Sequence, residues 1–335
     1  MKKRTVLTGI TTTGTPHLGN YVGAIKPCIQ ASHNAEVQSY YFLADYHALV
    51  KNQDADSMRQ SSLEIAATWL ALGLDTRTAV FYRQSDIPEI SELTWILTCW
   101  TAKGLMNRAH AYKATVQDNI DGGEDPDFGI NMGLFCYPIL MSADILLFKA
   151  NEVPVGRDQA QHLEMARDIA QRFNHHYGEL FVLPEAVLDE YVAVLPGQDG
   201  RKMSKSYNNT IPLWLPEKQL RKAIMKIVTN SQEPGEPKDP ADSALFALYA
   251  AFASAGQREQ MRQAYREGIG WGDAKQALFE LINDELSEAR ERYQELIAEP
   301  GRIERELQRG AQKARAAAAP FLARIRDAIG IRRLG

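Results

Sequence analysis

Short β-branched or aromatic runs alternate, along the first two thirds of the chain, with stretches whose apolar residues recur three and four apart. Residues 5–8 read as a buried strand; Gly9 and Gly14 then break the chain, and Pro16 presets a turn or a first helical position. From Gly19 the apolar spacing of Tyr21, Val22, Ile25 and Ile29 is helical. A second strand covers 37–44 and ends at Asp45-Tyr46-His47. Asp56-Ser57 can cap a helix with Ile65, Trp69 and Leu72 on its apolar face, stopped at Gly73. A third strand covers 79–83, a helix runs from about Glu89 to near Gly104, and the acidic, glycine-rich 118–129 reads as an exposed insertion or mobile loop. A helix containing 141–148 leads to a strand at 152–155 and a turn at 156–159. The next helix carries Leu163, Ala166, Ile169, Ala170 and Phe173, and the last strand falls at 192–195. Strands alternating with helices predict an α/β fold, a Rossmann-like, doubly wound parallel sheet with right-handed crossovers.

The alternation stops after Pro216. Helices are expected over about 217–227, 243–254, 257–267, 273–299 and 302–329, with breaks at Gly256, 268–272 and Pro300-Gly301 and a proline-rich loop at 230–240. The expected organisation is a catalytic domain over 1–215, an α-helical domain over 216–305, and a basic C-terminal helix over 306–335 that can pack back on the catalytic domain.

The 335 residues carry a net charge of −4, which argues against a generally sticky nucleic-acid binder. Basic residues cluster near the end: nine Lys/Arg against three Asp/Glu from Arg302 onward, a solvated helix face or an RNA phosphate contact. No apolar run reaches the length of a membrane span, and Met1-Lys2-Lys3-Arg4 leads straight into a strand without a signal-peptide core. Cys28, Cys99 and Cys136 lack metal-ligand spacing and read as small buried hydrophobes in a reducing, cytoplasmic compartment. No metal site is expected on the protein itself.

Ligands of open α/β sheets bind beyond the carboxyl ends of the strands. Residues 9–21, 45–47, 156–159 and 202–206 all follow strands, which points to one site. The 9–21 stretch, a strand, glycine-rich turn and helix start, aims backbone N–H groups at a phosphate, yet it is neither a P-loop nor a dinucleotide fingerprint. His17 and Asn20, three apart at the helix start, can face one phosphate or serve only as caps. Lys202 and Lys205, near Gly197 and Gly200, can move onto a triphosphate as charge develops on its leaving group. With no nucleophilic triad or carboxylate pair in sight, the chemistry reads as positioning and electrostatics.

His17-Leu18-Gly19-Asn20 resembles the HIGH element of class I aminoacyl-tRNA synthetases, and Lys202-Met203-Ser204-Lys205-Ser206 matches their KMSKS loop letter for letter. Residues 137–147, 153–164, 19–24 and 310–314 further resemble bacterial tryptophanyl-tRNA synthetases. The resemblance spans essentially the whole chain. It implies a homodimer that activates L-tryptophan with ATP and Mg²⁺ and then esterifies it to tRNA(Trp). By matching positions, His17, Asn20, Lys202 and Lys205 would be catalytic. ATP would meet Thr11, Thr12, Thr13, Gly19, Asn20, Gly156, Arg157, Asp158, Val194 and the Lys202, Met203, Ser204, Lys205, Ser206 loop. Asp144 would accept the indole N–H, with Met141, Tyr137, Gln159, His47 and Thr11 around the amino acid. Thr11 stands where much of the family has Gln, and Thr115 where a phosphate-binding Lys is common, although Lys113 is retained. A tyrosyl-tRNA synthetase, a nucleotidylyltransferase and an inactive RNA-binding paralogue are the competing readings. An Asp inside the apolar stretch 143–145 favours indole, but a satisfied core carboxylate is the alternative.

Overall fold

The structure is a computed structural model, and it describes residues 4–332 and 334 apart from 13, 157–158 and 189–194. In chain order, β1 (Arg4–Thr11) leads into α1 (Leu18–Asn20), a π-helical turn (Tyr21–Ile25) and α2 (Lys26–Ser32). Then come β2 (Val37–Ala44), α3 (Asp45–Ala48), α4 (Ala55–Ala71) and β3 (Val80–Arg83). A 3₁₀ turn (Gln84–Asp86) is followed by α5 (Pro88–Trp100), α6 (Lys103–Met106), α7 (His110–Asp121) and α8 (Met132–Leu147). After β4 (Glu152–Val155), α9 (Ala160–Tyr177) and β5 (Glu185–Leu188), the rest is helical. Its helices are α10 (Glu217–Met225), α11 (Ala244–Phe252), α12 (Ala255–Arg266), α13 (Trp271–Ala298) and α14 (Pro300–Ala328).

All strand pairs are parallel, in the order β3-β2-β1-β4-β5, so the sheet reverses its order of addition between β1 and β4. Over 40–44 β2 reads as a continuous apolar run because both its faces are covered. Tyr41 and Leu43 join one core with Trp69 and Phe81; Tyr40 and Phe42 join the other with Leu97, Leu146 and Phe173. The first of these cores continues without a break through Leu220, Leu245, Leu278 and Leu286. The helices after Pro216 therefore join this core through α13, which packs on α4, and α10 and α11 pack on α13 in turn. α14 lies along the edge strand β3, and the approach is possible only at a glycine: a Cβ on Gly310 would sit 1.6 Å from the Phe81 carbonyl oxygen.

Several expectations are corrected. β1 does not stop at Gly9, because its ladder to β2 runs on to Thr11 opposite Ala44 and overrides the local preference of glycine. The cap of α4 is Asp54, whose side chain accepts from Ser57 N at 2.7 Å, rather than Asp56. Gly104 lies inside α6, and α7 extends into the expected insertion as far as Asp121. Gly256 lies in the first turn of α12, capped by Ser254 through a reciprocal bond with Gln257. β5 has no counterpart among the expected strands, and the strand expected at 192–195 lies, except for Leu195, outside the described residues. Cys99 is exposed and Cys28 and Cys136 are half-buried, rather than buried, and no disulfide joins the three.

Candidate active site

His17 is the N-cap of α1. Its Nδ1 accepts from Asn20 N at 3.3 Å while its own N–H donates to Asn20 Oδ1 at 3.1 Å. That reciprocal cap settles the tautomer: with Nδ1 accepting, a neutral ring carries its hydrogen on Nε2. Burial, then the Lys205 charge, lowers the His17 pKa to about 4, so the ring is an uncharged donor at neutral pH. The helix then opens into the π turn just ahead of Pro27, whose missing N–H interrupts an α-helical ladder.

The Lys202–Ser206 loop is brought to this turn by the chain that follows it. Leu18 N donates to Ile211 O at 3.0 Å and Leu213 N to Pro16 O at 3.0 Å, around a bridge from His17 to Pro212. Asn209 anchors the loop base: its Nδ2 donates to Asp199 Oδ1 at 2.7 Å and Lys202 O at 3.0 Å, and its Oδ1 accepts from Ser204 N at 2.8 Å. The Lys205 ammonium lies over Gly14, 2.9 Å from where a Cβ on that residue would be. Gly14 takes φ +65°, a conformation that glycine reaches freely, and its N–H donates to Ser61 Oγ at 3.0 Å. Burial lowers the Lys205 pKa, and the nearby Glu64 carboxylate opposes the shift.

Two cavities meet here. One, of about 530 Å³, is lined by His17, Gly19, Asn20, Lys202, Met203, Ser204 and Lys205 among others. Another, of about 560 Å³, opens at the β1–β4 reversal between Thr11, His47, Tyr137, Met141, Asp144, Gly156 and Gln159. Thr8, Gly9, Thr11 and Ala24 line both, so the cavities share a wall at the end of β1. Asp144 in α8 is fully buried. Its Oδ2 meets His47 Nε2 at 2.9 Å, and Gln84 Nε2 donates to both of its oxygens at 2.9 Å. Burial pushes the Asp144 carboxyl up, against the pull of the His47 and Gln84 donors. Buried His162 connects two other residues of this lining, Tyr137 through its OH (2.7 Å to Nε2) and Gln159 through its Oε1 (3.0 Å to Nδ1).

Residues 1–287 match the family described as tRNA synthetases class I (W and Y). The tryptophan–tRNA ligase of Pseudomonas aeruginosa is 65% identical over 98% of this chain and 74% of its own length. That of Neisseria meningitidis is 60% identical over the whole of both chains. The chain belongs to the class I tRNA synthetase family of tryptophan and tyrosine. This synthetase has the activity of a tryptophan–tRNA ligase, the name its relatives of 60–65% identity share. A Campylobacter jejuni tryptophanyl-tRNA synthetase complexed with ADP and tryptophan superposes with a TM-score of 0.87 at 44% identity, over 97% of this chain and 99% of that one. An Archaeoglobus fulgidus tyrosyl-tRNA synthetase complexed with tyrosine shares the fold, with a TM-score of 0.65 at 18% identity over 88% of this chain and 91% of that one.

Within the synthetase, most of the expected residues line the two cavities. Thr12 does not: it is fully buried and lines neither. Ser206 also lies outside both, its hydroxyl 2.8 Å from that of Ser204. Thr13, Arg157, Asp158 and Val194 lie outside the described residues. Thr115 bonds back to Ala111 O at 3.0 Å within α7, and it and Lys113 line neither of these two cavities. The sequence pattern does not single out Gln84, His162, Asn209 or Gly14 as site residues. Gln84 carries a signal all the same, since it follows β3 as the other site segments follow their strands.

Proposed function

We propose that the two joined cavities are the halves of one tryptophan-activation site, the Asp144 cavity taking the side chain and the His17–Lys205 cavity the ATP phosphates. The observation that carries this reading is the common wall at the end of β1, between a buried acceptor on one side and two lysines with a neutral imidazole on the other. Indole N–H is only a donor, and an ionised carboxylate is only an acceptor. The tryptophan carboxylate attacks the α-phosphorus, the bond to the bridging oxygen of the β-phosphate breaks, and pyrophosphate leaves. Lys202 and Lys205 stabilise the charge that develops on that leaving group. His17 Nε2–H and the Asn20 amide donate to phosphate oxygens without adding charge. Mg²⁺ is expected to arrive on the nucleotide and to neutralise phosphate charge there. Lysines and uncharged donors lining the cavity fit a polyanion carrying its own cation. In the second step a terminal ribose hydroxyl of tRNA(Trp) displaces AMP from the adenylate.

The exposed Lys218, Arg221 and Lys222 of α10 support a tRNA-facing role for the helical half, 216–305. Exposed Trp95, Phe128 and Met132, with an α7 that buries none of its residues, support a homodimer. Three cysteines without a disulfide suit a cytoplasmic setting, and no helix is long and apolar enough to cross a membrane among the described residues.

Amino-acid-dependent exchange of pyrophosphate into ATP tests the reading. Wild type should respond to tryptophan far more than to tyrosine or phenylalanine. Asp144→Ala should lose about two orders of magnitude in kcat/KM for tryptophan and narrow the tryptophan/phenylalanine gap, because a buried carboxylate with an unfilled acceptor position no longer disfavours phenylalanine. An unchanged gap would make Asp144 a core residue.

A further inference from the structure

We propose that Gln84 is a positioning residue that sets indole specificity by holding Asp144 as an ionised acceptor with one lone-pair site left for ligand. The proposal rests on the reading of Asp144 as the indole acceptor and adds what makes that carboxylate usable. Gln84 is fully buried at the carboxyl end of β3. Its Oε1 accepts from Tyr46 N at 3.1 Å, so the amide cannot flip, and its NH₂ faces both oxygens of Asp144 at 2.9 Å. His47 Nε2 adds a bond to Oδ2 at 2.9 Å and, with the carboxylate ionised, must carry the hydrogen. Oδ2 thus has two donors and Oδ1 one. Each carboxylate oxygen has room for two, so the vacancy is on Oδ1.

The turn that carries Gln84 is tied on both sides. Ser85 bonds the Asp45 carboxylate through its N–H, at 3.1 Å, and through its hydroxyl. Arg83 pairs with Asp86 and with Glu304 of α14, each at 3.0 Å. The titratable groups facing Asp144 are His47 and Asp45 at α3 and Tyr82 of β3. Without the Gln84 amide, a carboxyl buried among them takes up a proton more readily and becomes a hydroxyl donor, which is the wrong partner for an indole N–H.

Two variants test this in the full-length enzyme by pyrophosphate exchange, with tryptophan and with its benzothienyl analogue, in which sulfur replaces the ring N–H. Thermal denaturation is measured alongside. Gln84→Met removes the donor and should reduce the preference for tryptophan over the analogue by about tenfold or more. Gln84→Glu keeps the acceptor for Tyr46 N. At mildly acidic pH it shares one proton with Asp144 and donates as the amide does; as pH rises, both carboxylates ionise. Burying the indole favours the singly charged pair, so the preference should fall with rising pH along a limb that wild type lacks. Should Gln84→Met fail to fold, that limb decides alone. Wild-type preference with a wild-type pH profile in Gln84→Glu overturns the proposal, and so does an unchanged preference in folded Gln84→Met. Wild type that uses the analogue as well as tryptophan removes the Asp144 reading itself, and this proposal with it.

Discussion

Lys205 and Gly14 form a pair whose coupling can be measured. The ammonium sits 2.9 Å from the place a Gly14 Cβ would take, so Gly14→Ala displaces Lys205 without touching its charge. Displacement is easier than deformation, because the obstructing atom is the tip of a flexible side chain. The backbone contributes a separate loss: alanine at φ +65° costs about 1–2 kcal/mol. Lys205→Ala removes a cation aimed at developing charge, an effect of roughly 2.7–4 kcal/mol, or about 10²–10³ in kcat. Gly14→Ala should show a large part of the same loss. In the Lys205→Ala background it should add only its strain, so the double variant falls well short of the sum. Pyrophosphate exchange reports activation, and tryptophan affinity, read by calorimetry, should stay within about twofold, since an ammonium acts on a triphosphate and not on an indole. Full additivity would refute the argument, and so would a parallel collapse of tryptophan affinity.

Gly310→Ala forces α14 away from β3 by more than an ångström, from a Cβ contact of 1.6 Å. The expected cost is about 3 kcal/mol, a fall in Tm of roughly 4 °C, and calorimetry with Gly301→Ala as an exposed control measures it. His17 has a folded pKa lowered from 6.5 to about 4, so the unfolded chain binds the proton more readily. Its contribution to stability is complete above pH 6.5 and lost as pH falls from 6.5 towards 4, a slope that His17→Asn should flatten in urea titrations. Arg221→Glu and Lys222→Glu, on an exposed face of α10, should weaken aminoacylation most at low salt, by a margin that narrows as salt rises, and spare pyrophosphate exchange; equal loss of both reactions would make these residues structural.

Elements written in neighbouring residues are legible in the amino-acid sequence alone. The strand at β2 shows as an aromatic and apolar run over 40–44, α9 as a helical stripe, and the cap of α1 as His17 with Asn20 three residues on. The Lys202–Ser206 loop and the chain's family are legible for the same reason, since a contiguous motif carries its own chemistry. Asp144 stands out as a carboxylate in an apolar helix, but the donors that define it, Gln84 and His47, are 60 and 97 residues away. Periodicity cannot tell which polar residue at a strand end turns toward which cavity, because parallel pairing across the sheet sets that register. The same holds for β1 running through Gly9, for Gly310 against Phe81, and for the helices after Pro216 joining the core of the sheet. Local preference is a matter of tenths of a kcal/mol per residue, whereas burying a large apolar side chain contributes about 1.5–3 kcal/mol. Where the two disagree, packing across the whole chain prevails.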